Sequence, residues 1–186
     1  MSEIERLESD LTFVRGVVSR SAPPGPALIY WFWAIVCAIG FSLPDFAPQR
    51  MATFWMIVGP AGWLLSMFLG YRHAKRVGQL DAREGARHLA HWGVMLVTIG
   101  LAALLVRQGH VPGEVMGPLA ILIVAFSYVL AGLHLDKFLL LPGGLMFVGY
   151  GVLLFVDDFS WTIVGALVAI GLACAGIAAG RTVDDA

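Results

Sequence analysis

Basic residues in this chain gather in every second gap between six long apolar stretches, and that alternation leaves few folds open. Arg6, Arg15 and Arg20 precede the first stretch. Arg72, Lys75, Arg76, Arg83 and Arg87 stand between the second and third, Lys137 between the fourth and fifth, and Arg181 after the sixth. The alternate gaps hold only Arg50 and Arg107. This is the positive-inside pattern of a polytopic membrane protein, and it predicts that both termini lie in the cytoplasm.

Composition points the same way. Hydrophobic residues make up 59% of the chain and charged residues 13%, where soluble domains run near a quarter charged. A chain of 186 residues this apolar cannot hide its side chains in one water-soluble core, so lipid must solvate most of it. The expected fold is all-α, a bundle of six transmembrane helices preceded by a short amphipathic cytoplasmic helix. The expected spans are residues 27–43, 54–71, 89–106, 115–134, 138–156 and 161–179, each near the ~20 residues a bilayer helix requires. They fill a transmembrane domain of residues 21–180, and residues 181–186 form a cytoplasmic tail. The break between spans four and five is only His134-Leu135-Asp136-Lys137, yet a five-span count would destroy the charge alternation.

Several classes of function lose support at this point. The net charge is −1, with charges sorted by side rather than by sign, and no RNA-binding or zinc-finger pattern appears, so no nucleic-acid partner is expected. Cys37 and Cys174 fall inside spans and read as small packing residues. The first twenty residues are charged and amphipathic, without the short apolar core and cleavage site of a signal peptide. Within them Ile4, Leu7, Leu11, Val14 and Val18 are spaced as a heptad seam. Glu3, Glu5, Glu8 and Asp10 favour the helix amino end, and the prolines of Ser21–Pro26 end it. That seam lies on the bundle or membrane surface, or docks a partner.

Three further features carry candidate chemistry. In span six Gly165, Ala169 and Ala173 recur at i+4, a spacing that lets two helix backbones approach closely. Span five, with Gly143, Gly144, Gly149 and Gly151, is their expected partner; a second copy of the chain is the alternative. At the cytoplasmic border Asp81, Glu84, His88 and His91 share one face if the third helix begins early, with His73, His134 and Asp136 at the same depth. His88, His91, Glu84 and His134 are thus candidate metal ligands or proton carriers, and the cofactor is left open between a metal ion and haem. Neither HExxH nor CxxC is present, and the same spacing describes any amphipathic helix entry. Finally, Gly59-Pro60-Ala61-Gly62 in span two and Gly117-Pro118 in span four are candidate unwound segments lining a solute cavity, or simple kinks. No Asp, Glu, Lys or Arg stands in the middle of any span, which disfavours an ion-coupled pump.

The short charged start (Leu11-Thr12-Phe13-Val14-Arg15), the aromatic first span (Tyr30-Trp31-Phe32-Trp33) and the Gly132-Leu133-His134 end of span four resemble small six-span bacterial inner-membrane proteins known only as domains of unknown function. The resemblance implies a bacterial inner membrane and brings no catalytic residues. Three readings follow. The leading one is a non-enzymatic membrane protein that associates with itself or with a cytoplasmic partner. The others are a small transporter or permease subunit for a neutral or apolar solute, and a metal- or haem-binding membrane protein.

Overall fold

The computed structural model describes residues 26–76, 78 and 81–184. The seam of Ile4, Leu7, Leu11 and Val14 lies outside the described residues. Six helices follow: α1 (Ala27–Phe46), α2 (Pro48–Arg76), α3 (Ala82–Arg107), α4 (Met116–His134), α5 (Leu140–Phe155) and α6 (Ser160–Asp184). Single 3₁₀ turns, Gly113–Val115 and Lys137–Leu139, lead into α4 and α5. All six segments are long and apolar enough to cross a bilayer. The chain is an all-α, multi-pass membrane protein. Helices suit that solvent because each satisfies its own backbone where water cannot.

Local chemistry sets the helix limits beyond the apolar stretches. Asp81 accepts the backbone N–H of Arg83 at 2.7 Å and so starts α3 well before Leu89. His73, Lys75 and Arg76 occupy the last turn of α2, where cations suit the carbonyl end of a helix. The short break between α4 and α5 works because two donors share one acceptor. The N–H groups of Leu135 and Asp136 both reach the Ala131 carbonyl, at 2.7 and 2.9 Å. Asp136 then accepts Phe138 N–H at 3.0 Å and opens the next turn.

Around the bundle α2 leans on α1, α1 pairs with α6, α6 with α5, α5 with α4, and α3 leans on α4. The buried core joins Tyr30, Ala34 and Cys37 of α1, Ile121, Ala125 and Tyr128 of α4, Met146 of α5, and Val164, Val168 and Leu172 of α6. Four helices therefore make the core and two flank it. Burial measures the difference: 44% of the α6 span is buried, against 6% for α3. Large apolar side chains such as Met56, Val94 and Phe155 stand exposed around the outside, as lipid-facing surface requires.

The small residues of α6 serve contacts inside the molecule, and α1 joins the expected α5 as their partner: a Cβ at Gly171 would lie 2.9 Å from Pro142 Cα of α5. A Cβ at Gly165 would lie 3.3 Å from the Cys37 carbonyl oxygen, and one at Gly176 would lie 3.1 Å from Trp31 Nε1. Ala169 and Ala173 are half-buried on the same helix. On α5 itself the glycines divide. Gly143 faces α4 and Gly149 faces Val164 of α6, while Gly144 and Gly151 have nothing within 4 Å. Ala34, Cys37 and Ala38 on α1 offer α6 a surface equally small.

Carboxylates tie the bundle at both ends. Asp45, near the end of α1, accepts both the backbone N–H of Thr162 at 2.7 Å and its hydroxyl at 2.6 Å. At the other end the Tyr30 hydroxyl donates to Asp136. Between them the Trp33 indole donates to Ser66 Oγ at 2.9 Å, joining α1 to α2, and Ser66 donates onward to the Gly62 carbonyl at 2.8 Å. Trp63, by contrast, has a buried indole nitrogen without a hydrogen-bond partner among the described residues. Trp33→Phe should therefore cost about 1 kcal/mol in detergent unfolding, whereas Trp63→Phe should be neutral or stabilising. Equal losses would contradict this assignment.

Candidate functional site

The start of α1, the end of α2, the start of α3, the α4–α5 turn and the end of α6 all meet at one end of the bundle. The Tyr30–Asp136 bond and the seating of Gly176 against Trp31 fix three of these together. Arg72, Lys75, Arg76, Arg83, Arg87, Lys137 and Arg181 all belong to this basic end, as the alternation predicts.

Two open depressions lie there. One, of about 320 Å³, is lined by Asp81, Arg83, Glu84, Arg87, His134 and Leu135. It brings Glu84 and His134 together, as expected, but surrounds them with two guanidinium groups and a second carboxylate. Both residues are exposed. His88 is half-buried, with Glu84, Asp136 and His91 as its electrostatic neighbours. His91 turns away into the contact between α3 and α4. Its Nε2 lies 3.0 Å from the Ser127 carbonyl oxygen, so in this contact that nitrogen carries the proton and donates. Trp92 stands edge-on between His91 and Tyr128, with ring centroids 5.0 and 5.2 Å away.

The four candidate ligands therefore scatter: Glu84 and His134 line a surface depression, His91 enters a helix contact, and half-buried His88 belongs to neither. Asp136 is already engaged by Tyr30 and by the Phe138 N–H. Among the described residues no three His, Cys, Asp or Glu side chains converge as a metal site would. His73 carries a buried Nε2 without a hydrogen-bond partner among the described residues, and it does not line either depression.

The second depression, of about 620 Å³, is lined by Phe68, Tyr71, Arg72, Lys75 and Arg76 at the end of α2. The Arg72 guanidinium lies over the Phe68 ring, 5.5 Å from its centroid. In sequence these cations stand out as orientation signals, and their convergence with two aromatic rings becomes visible in the fold. The pattern was present in the i+4 steps from Phe68 to Arg72 to Arg76 and from Tyr71 to Lys75.

Neither glycine-proline segment is unwound. α2 continues unbroken through Pro60, Gly59 has nothing within 4 Å, and Pro60 is exposed. Gly62 lies beneath Phe32 and Trp33, where a Cβ would come within 3.0 Å of both rings. Gly117 sits under Trp161, with 2.7 Å between its would-be Cβ and the indole. In the first segment Pro60 faces outward and Gly62 is close-packed, and in the second Gly117 is close-packed, so the expected cavity linings are not found at these positions.

No family model, curated protein or solved structure matches this chain. The class it can be assigned to is the one its own fold defines: a six-helix polytopic membrane protein with a four-helix core.

Proposed function

We propose that this protein is non-enzymatic and acts by association, through its basic end. In this reading the membrane is a bacterial inner membrane, the basic end and both termini are cytoplasmic, and the partner is a second copy or a cytoplasmic protein. The observation that carries it is the distribution of free polar chemistry. Arg83, Glu84, Arg87 and His134 stand exposed around one depression at the basic end, while Gly117 and Gly143 in the bundle are tightly covered. Transport of a solute has less support, because the two glycine-proline segments offer no path. Metal or haem binding by His88, His91, Glu84 and His134 has less support too, since His91 donates to a backbone carbonyl.

The test is crosslinking in native membranes, with light scattering of the full chain in mild detergent. Wild type is compared with a chain lacking residues 1–20 and with the double variant Arg83→Glu/Arg87→Glu. Loss of the main crosslinked species in either variant is the expected result, since charge reversal at a rim alters association strongly. A wild-type chain that is monomeric and uncrosslinked would end the proposal. So would a crosslinked species indifferent to both changes.

A further inference from the structure

We propose that the depression at the end of α2 is a binding site for the phosphodiester headgroup of an anionic phospholipid. The inference stands whether or not the protein associates with a partner, because it concerns a different pair of surfaces at the basic end.

Orientation in the membrane requires only that cations be present near a span end; it does not require them to converge. Here the five cations at the end of α2 and the start of α3 divide into two chemically different groups. Arg83 and Arg87 share their depression with the carboxylates of Asp81 and Glu84. Arg72, Lys75 and Arg76 line theirs with two aromatic rings and, among the described residues, no carboxylate. The first group is internally balanced. The second has, among the described residues, a charge of +3 around an open concavity without a carboxylate in its lining, and an anion complements it.

The surroundings point to a lipid rather than a soluble anion. Phe68 and Tyr71 are 53% and 56% exposed in the last turns of α2, and the amphipathic Tyr71 ring suits a span end at the headgroup level. The Arg72 guanidinium lies over the face of the Phe68 ring, and both side chains line the concavity. Directly along the helix, Leu64 and Leu65 are exposed and offer an apolar track for an acyl chain. Only 11% of the α2 span is buried, so lipid reaches this helix along most of its length. A cationic turn above an apolar track matches the two halves of a phospholipid.

The experiment uses the full chain in detergent with equal amounts of dioleoyl phosphatidylglycerol and dioleoyl phosphatidylcholine, and native mass spectrometry counts the retained lipid. Wild type is expected to retain the anionic lipid about fivefold over the zwitterionic one, and to lose most of that preference at high salt. The triple variant Arg72→Gln/Lys75→Gln/Arg76→Gln should lose the preference, while Arg83→Gln/Arg87→Gln keeps it. An excess of inorganic phosphate should fail to displace the lipid. Equal retention of both lipids, an unchanged triple variant, or displacement by phosphate alone would each overturn the proposal. Should the triple variant fail to insert, photoactivatable phosphatidylglycerol is applied to wild type. Labelling within residues 68–76 supports the site, and labelling confined to other segments refutes it.

Discussion

Replacing Gly143 by Ala is expected to lower unfolding free energy in mixed micelles by about 2 kcal/mol, the usual cost of overpacking a tight contact. The same change one residue later, Gly144→Ala, is expected to be neutral or stabilising by up to about 1 kcal/mol, since alanine is the better helix former. The difference comes from what each position faces. A Cβ at Gly143 would stand 2.9 Å from the backbone nitrogen of Val129 and 3.0 Å from Tyr128 Cβ. Backbone of a neighbouring helix cannot swing aside as a flexible side chain can. Gly144 has nothing within 4 Å. If the two variants unfold alike, close approach of α4 and α5 is not what holds this part of the bundle.

The second large effect is expected at Asp45. Its carboxylate accepts two hydrogen bonds from Thr162 and so caps α6 from a different helix. Asp45→Ala should cost about 2–3 kcal/mol, as it leaves the first turn of α6 short of an acceptor and removes two charge-assisted bonds. Asp45→Asn keeps an acceptor oxygen and should lose roughly half as much. Thr162→Val removes the hydroxyl donor but not the backbone one, and its loss should overlap with that of Asp45→Ala rather than add to it. Strict additivity in that double-mutant cycle would contradict the cap. Unfolding of purified protein monitored by tryptophan fluorescence suits all three variants.

How far the sequence announced these features depends on the range of the physics involved. The six helices were readable because lipid imposes the same requirement on every span: about twenty apolar residues with internally satisfied backbone. That Arg72 to Arg87 gather at one end of the bundle was readable from the charge alternation. Neighbour relations were not. Asp45 reads in sequence as one of a few acidic residues at a loop, and Asp136 as a member of a histidine cluster; both turn out to close hydrogen bonds across more than one hundred residues. The i+4 stripe Gly165-Ala169-Ala173 announces that some helix comes close but not which one, and α1 has the small residues to compete with α5. The unwound reading of Gly59-Pro60 failed for a related reason. A proline within a membrane helix signals a missing donor, and whether the helix opens there depends on neighbours that sequence does not display. Histidine spacing at the start of α3 did predict a shared helical face, since Asp81 starts that helix early. It could not foresee that the Ser127 carbonyl would engage His91.

The pairing of α1 with α6 has a consequence for how the molecule assembles. A ribosome delivers α1 before α6, so the earliest helix of the core must wait in the bilayer for its main partner to be made. Until then α2 is its nearest companion, joined through Trp33 and Ser66. The small-residue surface of α1 and the carboxylate of Asp45 stay unmatched through the synthesis of more than one hundred residues. Closure of the bundle is therefore a late, long-range event, of the kind that is slow and open to mispairing. A chain stopped before α6 would carry five inserted helices and a core with its centre missing.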